Sequence, residues 1–262
     1  MIALLGLFLW PAAKVISGTV TEPTNIALGD FLTVLSDPTF ARFAANTLRL
    51  AVLVSLIAGT LGYFYAYAMY GLGRRWRVFL MICVLFPFST SLLVRSFAWS
   101  VILRDTGIVN WVLLHLGLID QPIGLLRTSL AITIGMTQIL LPFTILPTYS
   151  SMTKFDPDLL YAARSMGASA VQAFWLVFFP CTRVGLLAGL LLVFLLSLGY
   201  YITPVLLGGP GDQPVAVLIN SQVVNQLNWG LAGSMSAIVI AAVLLLLAAG
   251  WRLVERVFLA DR

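Results

Sequence analysis

Charge is what this sequence has least of. Only 10% of its 262 residues are Asp, Glu, Lys or Arg, while 60% are hydrophobic. A soluble domain has about 25% charged and about 45–50% apolar residues, so the chain lacks the polar surface that a water-soluble globule needs. Cysteine is nearly missing as well: Cys83 and Cys181 are too few for a disulfide framework and belong to no metal-ligand cluster. The single histidine, His115, excludes a paired-His metal site. Of the two lysines, Lys14 and Lys154, neither stands in a Gly-x4-Gly-Lys-Ser/Thr loop, so the chain has no phosphate cradle of its own. The net charge of +5 is scattered between apolar runs, without the basic stripe that would fit nucleic acid.

What is present is a series of long apolar runs. A bilayer-crossing helix takes about 20 residues, and the runs predict spans near Met1–Ile16, Asn46–Tyr70, Val78–Val94, Ser129–Tyr149, Val184–Tyr201 and Ala232–Trp251. Runs such as 190–196 are apolar all round and lack the period-two alternation of a barrel, so helices are the spanning form. The expectation is an all-α integral membrane protein of about six transmembrane helices. Residues 1–45 would hold the first span and an outer loop, and residues 46–262 a core of five spans with a cytoplasmic loop at about 150–183. The first run is short, and Met1-Ile2-Ala3 supplies no basic n-region for a signal peptide, so it is read as a span.

Lys and Arg near the span ends favour the cytoplasmic side. With both termini inside, nine of the 15 basic residues fall inside and six outside. Four of the ten acids fall inside and six outside, which puts the whole excess of +5 on the inner face. No Asp or Glu lies within any predicted span. A buried intramembrane acid is the usual mark of a proton or cation relay, so its absence argues against a proton-driven carrier.

The polar interruption 150–183 carries the most information. Asp156 can cap a helix whose first position Pro157 occupies without losing a needed donor. That helix runs through Leu159-Leu160-Tyr161-Ala162-Ala163-Arg164-Ser165-Met166 to Gly167, suited to a left-handed C-cap. Ser169 can cap a second helix, Ala170 to Phe178, which Pro180 is expected to break. Tyr161-Ala162-Ala163, three residues, Gly167, nine residues, then Val177-x-Phe179-Pro180 resembles the EAA loop of binding-protein-dependent ABC importer permeases, Glu-Ala-Ala-x3-Gly-x9-Ile-x-Leu-Pro. Tyr161 replaces the Glu of that pattern, and Asp158, one turn earlier, can substitute for it in part. Val94 to Leu103 with Gly107-Ile108-Val109-Asn110, Leu141 to Pro147 and Ile202 to Gly209 are similar to the spermidine/putrescine branch of the same family.

The resemblance implies the type I importer permease fold with a cytoplasmic coupling helix, in the bacterial inner membrane. It also implies a periplasmic substrate-binding protein, a second permease subunit that is typically a paralogue, and an ATPase dimer that holds ATP and Mg while this chain binds no cofactor. Asp158, Tyr161, Ala162, Ala163, Arg164 and Gly167 are assigned to contact with the ATPase. Thr133, Thr137 and Gln138 are polar in an apolar span and either line the solute path or bond neighbouring helices. Tyr200 and Tyr201 either hold a cation on their ring faces or sit at the membrane interface. Arg95, expected near the outer mouth, either attracts an anionic group or meets lipid phosphate. Among solutes, a polyamine is compatible, and a zwitterion or anion such as an opine, aminophosphonate or amino-acid derivative suits the acid-free spans better. The competing class is a secondary carrier or channel with no ATPase. Gly185-x3-Gly189 is expected to be a close-packing face, and Tyr63, Tyr65, Tyr67 and Tyr70 with Trp76 an aromatic belt.

Overall fold

Asp37 and Pro38 open the longest helix. In the computed structural model, which describes the backbone of residues 28–259 and the side chains of 31–248, α1 (Leu28–Ser36) is followed by α2 (Pro38–Gly71). Asp37 Oδ1 accepts from the Thr39 N–H at 2.7 Å, and Pro38 takes a first-turn position where its missing donor costs nothing. These signals start the helix at Pro38 rather than at Asn46, so 38–45 belongs to the span. Its far end stops at Leu72-Gly73, where the Arg77 side chain donates to the Met69 and Leu72 carbonyls, two acceptors the helix leaves open. The expected span Met1–Ile16 lies outside the described residues.

The run expected as one span at Val78–Val94 is broken. Helix α3 (Arg74–Leu85) passes into a 3-10 turn at Phe86–Ser89, and α4 (Leu92–Ile102) leaves at 102° to it. The reason is local: Pro87 removes a donor, and the Thr90 hydroxyl donates to the Pro87 carbonyl at 2.7 Å, competing with helical pairing. A short α5 (Ile108–His115) follows. Helices α6 (Ser129–Leu140) and α7 (Pro142–Thr153) fill the expected fourth span, with a 43° bend at Pro142.

After α7, helix α8 (Asp158–Ser165) turns into α9 (Ala170–Ala173), a π turn at Phe174–Phe178 and α10 (Phe179–Leu198). Pro180 was expected to end the second loop helix, but Ala170–Leu198 is one continuous element of 29 residues. The Phe179 N–H reaches back to the Phe174 carbonyl. This widened turn lets the chain admit Pro180 without stopping. Then come α11 (Ile202–Leu207), α12 (Val215–Val224) and α13 (Trp229–Leu259). Among the described residues there are three helices long and apolar enough to span a membrane, or five when each bent pair is one span.

The core sits where α2, α6, α10 and α11 meet, around Leu50, Val54, Ile132, Met136, Val193 and Leu207. Helices α7 and α10 approach closely at the predicted small residues: a Cβ at Gly185 would lie 2.5 Å from the Pro147 carbonyl oxygen, and one at Gly189 2.8 Å from Thr144 Cα. The Thr144 hydroxyl donates to the Ala58 carbonyl of α2 at 2.9 Å, tying the third helix in. A second cluster forms from Tyr63, Ala66, Met152, Phe155 and Phe178. Tyr63 is therefore a core residue rather than part of an aromatic belt, whereas Trp76 is exposed as expected.

Candidate functional site

Between the end of α7 and the start of α10 the chain makes a hook capped at its turns. Asp156 Oδ1 accepts from the Asp158 N–H at 2.9 Å and fixes the entry to α8. At the exit Gly167 has φ +90, its N–H reaches the Arg164 carbonyl at 2.9 Å, and the Ala168 N–H reaches Ala163 at 3.1 Å. This pair of bonds is the Schellman motif. Two residues later Ser169 and Gln172 cap each other reciprocally: the Gln172 N–H donates to Ser169 Oγ at 3.3 Å and the Ser169 N–H to Gln172 Oε1 at 2.9 Å. The role of Gln172 was readable in Ser-x-x-Gln, a capping-box spacing, but the sequence reading used Ser169 alone.

The hook presents one face outward. Asp158, Ala162 and Arg164 are exposed, and Tyr161 is 64% exposed. Ala163 is only 5% exposed and faces inward, unlike its neighbour. Two apolar residues that the sequence reading left unassigned, Leu159 and Met166, are also exposed, Met166 to 83%. Behind the hook a cleft of about 430 Å³ opens against the end of α2, lined by Tyr67, Tyr70, Leu160, Arg164, Phe174 and Phe178.

A second cluster lies where α4, α6 and α11 meet. Ser96 and Thr203 hydroxyls are 2.9 Å apart and buried. Trp99 Nε1 donates to Gln138 Oε1 at 3.3 Å, so Gln138 does bond a neighbouring helix. Thr137 is buried with no hydrogen-bond partner for its hydroxyl among the described residues, while Thr133 donates to its own helix at Ser129. Tyr200 is half-buried, packed on the core beside Thr203 and within electrostatic reach of Arg95. Arg95 Nε is buried and unpartnered among the described residues. Arg95, Gln138 and Tyr200, far apart in sequence, thus converge. Tyr201 is half-buried and stands at the start of α11. Ser96, Trp99 and Thr203 join the cluster although the sequence reading did not assign them, since a single Ser or Thr in an apolar run has no distinguishing spacing.

The sequence matches the family described as binding-protein-dependent transport system inner membrane component over residues 38–255. The chain belongs to that family. The permease is 37% identical over 215 residues to the spermidine/putrescine transport system permease protein PotB of Haemophilus influenzae, covering 81% of this chain and 75% of that one. It is 35% identical over 223 residues to PotB of Escherichia coli, covering 85% and 81%. Its fold is similar to a solved bacterial ABC transporter that imports the acidic polysaccharide alginate, with a TM-score of 0.79 and 18% identity over 97% of this chain and 92% of that chain. This permease is therefore a multi-pass inner-membrane subunit of an ABC importer, and no observation favours a free-standing carrier or channel.

Proposed function

We propose that this permease moves a polyamine-class solute, delivered by a periplasmic binding protein, through a path formed with a second, paralogous permease. A dimer of ATPase subunits drives it and holds ATP and Mg; the chain itself supplies no catalytic group. The observation that carries the reading is the hook. A short helix locked at both ends by capping bonds, with Leu159, Tyr161 and Met166 exposed outside the apolar spans, is suited to seat in a protein cleft. Asp158, Ala162 and Arg164 flank that surface, and Gly167 holds its exit. Because α7 and α10 leave the hook directly, a displacement of the hook tilts both.

On this reading both termini are cytoplasmic. The names of the relatives favour the polyamine end of the solutes that the sequence allows. The path runs past Thr137, Gln138, Tyr200, Tyr201 and Arg95, with open hydrogen-bonding capacity at Thr137. Aromatic faces at Tyr200 and Trp99 attract ammonium groups by about 0.5–2 kcal/mol each, which offsets the lack of an acid in the spans of this chain. The test is reconstitution of the permease with its ATPase, paralogue and binding protein in liposomes. Spermidine or putrescine uptake that requires ATP supports the reading, and uptake by the isolated chain under an ion gradient refutes it.

A further inference from the structure

The π turn Phe174–Phe178 lies between two well-tied parts of the chain. Before it, the reciprocal bonds of Ser169 and Gln172 close the start of α9. After it, Thr182 bonds both Tyr63 of α2 and the Phe178 carbonyl, and Gly185 and Gly189 hold α10 against the backbone of α7. The turn itself is followed at once by Pro180, which has no N–H, so an α-type bond to the Leu176 carbonyl four residues back is excluded. Sharp helix bends are typically found at prolines and at π turns. Residues 174–180 contain both.

The turn also has room to bend. The cleft of about 430 Å³ separates Leu160 and Ala170 of the hook from Tyr67 and Ala68 of α2, and Phe174 lines it. Phe174 also lines a second cavity, of about 290 Å³, with Trp175, Phe179, Gly59 and Tyr63. A cavity of about 150 Å³ takes up a benzene ring, so there is space for the Phe174 side chain to move on either side of its present seat against Tyr63 and Tyr67. The other connection of the hook, to α7, runs through the non-helical residues 154–157. Both of its joints to the membrane helices are therefore places where regular helical pairing is interrupted, whereas the glycine seam leaves α7 and α10 no freedom to slide apart.

We propose that the π turn Phe174–Phe178 is a hinge: during the ATPase cycle the hook changes its angle to α10 by closing on the end of α2 across the 430 Å³ cleft, while α2, α7 and α10 keep their packing. Closure in that direction buries more of the half-exposed Leu160 and Phe174, which favours it. The proposal rests on the importer reading above and refines it: α7 and α10 tilt as one packed pair, and the hook pivots on that pair instead of moving as a fixed extension of it. A wild-type chain that recovers no ATPase refutes the importer reading, and the hinge with it; a recovered ATPase with a hook fixed to α10 refutes the hinge alone.

The experiment uses the full transporter with Cys83 and Cys181 replaced by Ser and spin labels at exposed positions. Leu61 on α2 is paired with Val171 on α9 and, separately, with Leu192 on α10. Five residues of helix span about 7.5 Å, so a bend of about 25° at the turn moves Val171 by about 3 Å. Between the nucleotide-free and the vanadate-trapped transporter, the Leu61–Val171 distance is expected to change by about that much and the Leu61–Leu192 distance to stay constant. Neither distance changing, or both changing together, overturns the hinge. Filling the cleft is the second arm. Ala68→Trp and Ala170→Trp, at exposed cleft positions, are expected to retain the ATPase and its basal activity and to lose at least tenfold in ATP-driven uptake. Val171→Trp, on the same helix and outside the cleft, is expected to transport normally. Wild-type uptake by both cleft variants, or an equal loss in Val171→Trp, also overturns the proposal.

Discussion

The Tyr63 and Thr182 hydroxyls lie 3.0 Å apart in the buried seam between α2 and α10. Thr182 has one proton and donates it to the Phe178 carbonyl at 2.8 Å, so Tyr63 is the donor in the pair. The relay ends on the last residue of the π turn. It therefore braces the widened segment that connects the hook to α10, where Tyr63 also meets Phe174 and Phe179 edge to face.

Removing either hydroxyl has unequal consequences. Tyr63→Phe loses one hydrogen bond, about 0.5–1.5 kcal/mol, and leaves no buried donor stranded. Thr182→Val strands the Tyr63 hydroxyl at a cost of about 1–3 kcal/mol. Thermal unfolding of the purified transporter should rank Thr182→Val below Tyr63→Phe, with the double variant losing less than the sum of the two. Equal losses that simply add would show that the pair is not coupled.

Gly167 is a backbone requirement and not a packing one. Its φ is +90, and a Cβ built there meets nothing within 4 Å. Valine in that conformation is strained by about 1–2 kcal/mol or more, whereas Asn tolerates left-handed geometry. The expected order in ATP-driven uptake and in ATPase stimulation is wild type, then Gly167→Asn close behind, then Gly167→Val strongly impaired. An unimpaired Gly167→Val variant would remove the Schellman turn from the coupling argument.

These contrasts show which features were legible in the sequence. Asp156, Pro157, Gly167 and Ser169 act through bonds to residues within five positions, so their chemistry is local and the hook could be read before any fold was known. Gly185 and Gly189 were legible because a four-residue spacing of small side chains repeats on one helix face. The break at Pro87 was not read, although its signal was present, because the apolar run on either side is long enough to mask one proline. The continuity through Pro180 was beyond local rules, since it runs through a π turn whose Phe178 packs on the rings of Phe155 and Tyr67, 5.0 and 5.6 Å away and distant in sequence. The convergence of Arg95, Tyr200 and Thr203 needed the three-dimensional crossing of α4 and α11.

The close approach of α7 and α10 makes a strict demand on size. A methyl at Gly185 would lie 2.5 Å from both the Pro147 carbonyl oxygen and Ser151 Cβ, and backbone cannot swing aside as a side chain does. Gly185→Ala must push the helices apart, at a cost typical of overpacking, about 1–3 kcal/mol. Gly199→Ala, at a position with nothing within 4 Å of the new Cβ, is the matched control. A clear fall in Tm for the first and little change for the second is the expected result; equal Tm values would mean that the seam is looser than its geometry.

The two neighbours Ala162 and Ala163 separate docking from folding. Ala163 is buried and Ala162 exposed, so the same added bulk meets different surroundings at each. Ala163→Leu should lower the thermal stability of the transporter by overpacking the underside of the hook. Ala162→Leu and Met166→Glu should leave that stability within about 0.5 kcal/mol, as surface changes usually do, yet reduce recovery of the ATPase. A fully buried Met contributes about 1.5–3 kcal/mol, so losing the Met166 contact to a charge should weaken ATPase association by roughly tenfold or more. Co-purification measured against Tm for the three variants decides the matter. If Met166→Glu retains the ATPase at the wild-type level, the docking surface does not include the exposed turn at Gly167 and must lie elsewhere on the hook.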